Sequence, residues 1–183
     1  MLQGEHAHSL WAFSLAFYSV ESVSPLLIEW QDRNGIDVNV VLSLSWHAGR
    51  GLQLNEPALD ALIRAGEPWR AHVIAPVRNA RRAIKTIAGL DAMPDAMALR
   101  ERLLTLELDL ERAAQERLQA ASDVWLPPQA AVPSLDPPGA LQAMLRDYAR
   151  CLGTQLPTPQ CVQLAQRLQA FVVSHGVADD PEP

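Results

Sequence analysis

The chain has 183 residues, 49% of them hydrophobic and 20% charged, with 21 acidic against 15 basic side chains and a formal net charge of −6. A chain of this length buries about 70% of the surface its unfolded form exposes, and its mean hydropathy of −0.01 is that of an ordinary globular protein rather than a disordered one. The net negative charge, with a single lysine, excludes a protein that holds nucleic acid or anionic membrane by bulk charge, so any anion site has to be local.

Ala, Leu, Arg, Gln and Glu outweigh the β-branched residues, which predicts an all-α fold. The apolar run Leu10 to Val20 is preceded by Glu5 and two histidines and is closed by Glu21 and Ser24-Pro25. It reads as a helix capped by Ser9 and ending at Tyr18, neither an export signal nor a membrane span. Without an export signal the expected location is the cytoplasm, with Cys151 and Cys161 as small buried thiols.

Ser24-Pro25 predicts the start of a second helix that stops at Asn34-Gly35. Asp37 predicts the cap of a third, stopping at Gly49 or Gly51, and Asn55 with Pro57 opens a fourth that runs to about Gly66. A fifth is expected from Glu67-Pro68 to about Leu90, kinked or divided by Pro76, which lacks a backbone donor. The longest uninterrupted pattern follows Met93-Pro94. There Leu99, Leu103, Leu106, Leu110 and Ala113 step 4-3-4-3, the seam of a helix lying along a partner, and the expected partner is the preceding helix folded back.

Between Trp125 and Gly139, five of the fourteen prolines fall in one stretch. The expected organisation is a helical domain over 1–125, a proline-rich linker over 126–138, a smaller helical hairpin over 139–175 and a disordered acidic tail over 176–183. The fold class is a compact multi-helix bundle containing one long antiparallel helical hairpin.

Catalytic and metal patterns do not emerge. The chain has no glycine-rich phosphate loop, no Cys-x-x-Cys, no His-Glu-x-x-His, no Glu-x-x-His pair and no nucleophile elbow. His6-x-His8 has no third ligand beside it, so no catalytic residue, metal or cofactor is assigned. Asn39, Ser43, Trp46 and Arg50 form a polar stripe on an otherwise apolar helix. A buried Asn39 must either bond a neighbouring helix or line a polar pocket. Gln31, Asp32, Asp37, Asn39 and Trp46 are expected to form a structural polar cluster.

The segment from Trp69 to Lys85 carries five of the fifteen basic residues in seventeen positions. Arg70, Ile74, Arg78, Arg81 and Lys85 share one sector, with Arg82 at its margin. Trp69, Val73, Val77, Ala80, Ile84 and Ile87 form the opposite stripe, expected to face the core. Cations on adjacent turns repel unless something negative faces them, and a chain reversal near Met93 sets Arg78 level with Glu107 and Glu111 one turn on. The face is therefore either an internal ion-pair ladder or a site for an anion or partner.

Four stretches, LWAFSLAFYS, LIEWQDRNGIDVNVVLSLSW, PWRAHVIAPVRNARRAIK and LRERLLTLELDLERAAQERL, resemble in that order a family of small proteobacterial proteins known only as a domain of unknown function. The resemblance spans about residues 9–121 and implies a compact helical domain without implying an activity. The chain departs from the family pattern at Ser43 and Ser45, where apolar residues are usual. The function expected from the residues is a non-enzymatic interaction module that contacts a protein partner through Trp69, Arg70, Arg78, Arg81, Arg82 and Lys85. The alternative is a binder of, or enzyme on, a phosphate or carboxylate held by Arg70, Arg78, Arg81 and Lys85 near Asn39 and Gln31. Convergence of those residues on a polar concavity distinguishes the two.

Overall fold

Capping chemistry sets most of the helix boundaries in the computed structural model, which describes residues 1–87, 89, 93–125 and 131–175. A short helix α1 (Gly4–His8), which the sequence reading did not anticipate, leads into α2 (Leu10–Tyr18), where the Ala12 N–H donates to Ser9 Oγ at 3.1 Å. Helix α3 (Val23–Asn34) begins before the Ser24-Pro25 signal and places Pro25 in the first turn, where a missing N–H leaves no helical bond unmade. It ends on Gly35, whose φ of 67° is the left-handed conformation that favours glycine. Helix α4 (Val38–Gly49) is capped by Asp37, whose Oδ1 accepts the Asn39 N–H at 2.9 Å. The N-terminus closes over its end, with the Leu2 N–H donating to Gly49 O at 2.9 Å.

A short strand β1 (Leu52–Leu54) precedes α5 (Glu56–Trp69), whose cap Asn55 accepts the Ala58 N–H at 3.1 Å. The expected stop at Gly66 does not occur. Helix α5 continues through Pro68 into a π-helical turn, Arg70–Ile74, and on into α6 (Ala75–Thr86). In that wide turn the Ala75 N–H reaches back five residues to Arg70 O, which makes room upstream of the proline ring at Pro76. The expected end of this helix at Leu90 lies outside the described residues.

Helix α7 (Pro94–Trp125) runs 32 residues and packs on both α5 and α6. It does not bury the leucine seam read from the sequence, since Leu99 and Leu106 are exposed. Among its described residues the buried positions are Glu107, Ala114, Gln115, Leu118 and Ser122, a row of similar spacing in a different phase. Two of the five are strongly polar, so a count of apolar residues points to the wrong face.

After α7, strand β2 (Ala131–Pro133) pairs antiparallel with β1, with Leu52 opposite Pro133. Helices α8 (Pro137–Cys151) and α9 (Thr158–His175) follow. Part of the expected linker is thus a strand, and Pro137-Pro138 form the first turn of α8. Residues 126–130 and 176–183 lie outside the described residues.

The core is centred on α4, in which every residue from Asn39 to Gly49 is buried. Leu141, Met144 and Leu145 of α8 and Leu164 and Leu168 of α9 belong to the same buried cluster as Phe13, Val41 and Leu44. Polar contacts tie the two parts as well: the Asp37 N–H donates to Tyr148 Oη at 2.9 Å, and Trp30 Nε1 donates to Gln160 Oε1 at 2.6 Å. The C-terminal hairpin set apart in the sequence is therefore packed into the same core, where it covers α4. Of the cysteines, Cys161 is half-buried and Cys151 is exposed, against the expectation that both are buried, and both are free thiols.

Among the described residues no single helix is long and apolar enough to cross a membrane. The pair α2 and α3, bent by 101° at their junction, together meets the length and composition of a span, and its Phe13, Phe17, Leu27 and Trp30 are fully buried in the core.

Candidate functional site

On the Arg-bearing face of α6 and the turn before it, three residues point inward. Ile74 is buried, and the Arg78 and Arg81 side chains are only 16% and 18% exposed. The stripe expected to face the core has no fully buried member: Trp69, Val73, Val77 and Ile84 are half-buried, and Ala80 and Ile87 are exposed. The inversion follows from what lies opposite: Glu107, 6% exposed, and Glu111 on α7 provide the countercharge that lets guanidinium groups leave water.

Arg78 is the hub of this arrangement. Its Nε donates to Glu107 Oε1 at 2.7 Å, its Nη2 to Glu111 Oε1 at 2.5 Å and its Nη1 to Gln31 Oε1 on α3. Arg81 adds a second hold on Glu107, from Nε to Oε2 at 2.5 Å and from Nη2 to Oε1 at 3.3 Å. Burial alone would raise the Glu107 pKa, but the hydrogen bonds from Arg81 and Arg78 outweigh it and hold the carboxyl below its ordinary value. At Glu111 burial prevails over the single contact with Arg78, and the pKa is raised. The Arg78 pKa is raised although burial opposes it, because the hydrogen bond to Glu107 and the charge of Glu111 prevail.

The other basic residues of the segment stay outside this cluster. Arg82 meets Asp32 at 3.2 Å in an exposed pair. Arg70 turns back to Glu67 one turn earlier, at 2.7 and 2.8 Å. Lys85 is exposed, and Trp69 is half-buried.

Of the expected polar cluster, Gln31 and Asp32 join the arginines as described, and Asn39 accepts a hydrogen bond from Gln115 Nε2 at 2.8 Å. Asp37 sits beneath them at the start of α4, where burial pushes its pKa up to about 6. Trp46 does not join. Its indole N–H donates to His6 O at 2.9 Å, and the Arg50 guanidinium lies 4.3 Å over its ring. The stripe through Ser43 breaks up too, since Ser43 Oγ is buried without a partner. Close by, His47 Nδ1 donates to Ser43 O at 2.7 Å, and burial lowers its pKa to about 4, so the ring is neutral at pH 7.

These groups border a cleft of about 260 Å³ between α2, α3, α4, α6 and α7. One wall is the ion-pair cluster of Arg78, Arg81, Glu107 and Glu111. The facing wall is apolar and aromatic, formed by Trp11, Leu15 and Tyr18 of α2 with Ile28 of α3. Asn39 and Leu42 of α4 close the back. At the bottom, Ser14 and Gln115 are 3% and 2% exposed, and Ser14 Oγ and Gln115 Oε1 have no hydrogen-bond partner. Leaving a buried polar atom unpaired costs about 1–3 kcal/mol, so two beside one cleft are an unusual concentration.

The sequence reading named Gln31, Asn39, Arg78, Arg81, Arg82, Glu107 and Glu111, and all seven line this cleft. It missed Trp11, Ser14, Tyr18 and Gln115. Their signals were present: Ser14 is the polar residue interrupting an apolar run, and Gln115 follows Glu107 and Glu111 at successive four-residue steps on one helix face. Among the described residues no group of three or more His, Cys, Asp or Glu side chains is placed to hold a metal ion, and the His6 ring packs against Phe171 and His175.

Fold and site together define an all-α domain with a cleft half apolar and half internally neutralised charge. The chain belongs to the family described as protein of unknown function (DUF2390), whose sequence model matches residues 9–118. Every residue that lines the cleft falls within that span. No curated protein and no solved structure matches the chain.

Proposed function

We propose that the protein is a small-molecule-binding module whose site is the cleft between α2, α3, α4, α6 and α7. The observation that carries this reading is the pair of buried, unpartnered polar atoms, Ser14 Oγ and Gln115 Oε1, at the base of a cavity walled by Trp11, Leu15 and Tyr18. A concave, mostly apolar site with a few convergent polar groups is how small ligands are held. The arginines act here as one rigid wall, because Glu107 and Glu111 already occupy their guanidinium groups.

A fragment screen followed by backbone amide shifts of the full chain tests the reading. Hits are expected to perturb Ser14, Gln31 and Gln115 together, and Leu108→Trp at the exposed rim is expected to abolish them by narrowing the mouth. Hits that cluster on another face, or that survive Leu108→Trp unchanged, overturn it.

A protein partner is the second reading, favoured by the exposed Leu15, Ile28 and Leu108 around the cleft mouth. On that reading a co-purifying protein is lost on Leu15→Lys and retained on Arg82→Ala.

A further inference from the structure

The charges bordering the cleft cancel. Arg78 and Arg81 are matched by Glu107 and Glu111 on the same wall, and Arg82 is matched by Asp32. An anionic ligand would have to displace Glu107 from two arginines that it meets at 2.5 and 2.7 Å. A cationic one would sit beside three guanidinium groups. Neither exchange gains hydrogen bonds, whereas an uncharged group leaves the ladder intact.

The groups left without partners are of another kind. Gln115 uses its Nε2–H on Asn39 and keeps Oε1 as an unused acceptor, and Ser14 offers a hydroxyl that both donates and accepts. A carboxylate has no donor for Gln115, and an ether or hydrocarbon satisfies neither residue. A primary or secondary amide answers both, donating N–H to Gln115 Oε1 and accepting from Ser14 Oγ on its carbonyl. Ser14 and Gln115 both line the cleft, so a side-chain rotation of either would present its unused atom to a ligand there. The opposite wall, Trp11 and Tyr18, then meets the body of the molecule.

We infer that the cleft takes an uncharged amide carried on an apolar or aromatic body, recognised by Gln115 and Ser14 rather than by the arginines. The inference rests on the cleft-binding reading above and specifies its ligand class.

Titration of the isotope-labelled full chain with phenylacetamide, phenylacetate and phenethylammonium, one body with three polar ends, tests it by amide shifts at Ser14, Gln31 and Gln115. Phenylacetamide is expected to bind about tenfold more tightly than either ion, the worth of one well-placed hydrogen bond. Gln115→Met should bring the three probes to near parity, and Ser14→Ala should weaken the amide alone. Equal or tighter binding of phenylacetate or phenethylammonium overturns the ligand class while leaving the cleft as a binding site. Absence of shifts at those residues with all three probes overturns it too, and the fragment screen with Leu108→Trp then decides whether the cleft reading falls with it.

Discussion

Helices α4 and α6, twelve residues each, are held in the fold by opposite means. Helix α4 is enclosed by α2, α7 and α8 and buries Val40, Val41, Leu42 and Leu44 with almost no exposure. Helix α6 contributes no fully buried residue and is held to α7 largely by Arg78 and Arg81 on Glu107 and Glu111. The contrast shows that a helix face can be turned inward by matched charge as well as by apolar area. The two kinds of interior should fail differently: the apolar one by loss of area, the charged one by loss of a single partner.

The largest break is on the apolar side. Deleting everything after Trp125 removes Leu141, Met144, Leu145, Leu164 and Leu168 from the cluster around α4, together with the Tyr148 hydroxyl that receives the Asp37 N–H. The truncated chain is expected to lose its cooperative thermal transition by circular dichroism. A sharp transition near that of the full chain would mean α4 is covered without the hairpin.

On the charged side, Glu107→Leu leaves Arg78 and Arg81 largely buried beside one carboxylate, and a loss of about 3–5 kcal/mol is expected from urea unfolding. A loss below about 1 kcal/mol would place the cluster in water.

Between the two lies a pH signature of roughly 3 kcal/mol. Asp37 binds its proton more tightly folded, at about 6 against 3.8, so its contribution is present at low pH and lost as pH rises through 6. His47 binds its proton less tightly folded, at about 4 against 6.5, so its contribution appears as pH rises from 4 to 6.5. The two contributions oppose and largely cancel over this window. Asp37→Asn keeps an N-cap acceptor and removes one of the pair. Its stability should then rise by roughly 3 kcal/mol from pH 4 to 6.5. A flat profile in that variant would contradict the burial of His47.

Local chemistry was legible in the sequence where one residue decides the outcome. Ser9, Asp37 and Asn55 cap their helices and Gly35 ends one, because each satisfies an orphan backbone group or a left-handed φ. The pairing of Arg78 with Glu107 and Glu111 was legible too, since helix periodicity fixes which turns face each other once the chain reverses. Which face turned inward was not. Trp69, Val73, Val77, Ala80, Ile84 and Ile87 looked like a core stripe, and Leu99 to Ala113 like a packed seam, because hydropathy weighs each residue singly while charge neutralisation belongs to pairs on different helices. The cleft was half legible for the same reason: its charged wall was found as pairs, whereas Ser14 and Gln115 are marked out by the atoms they leave unpartnered.

The central claim is that the arginine face is an interior wall, and a double-mutant cycle on Arg78 and Glu107 tests it most directly, with the exposed pair Arg82 and Asp32 as the internal reference. The account predicts a coupling of about 2 kcal/mol for Arg78 and Glu107 that barely changes between low and high salt, against less than ~0.5 kcal/mol, fading with salt, for Arg82 and Asp32. Equal, salt-sensitive couplings for both pairs, or none for Arg78 and Glu107, would contradict it.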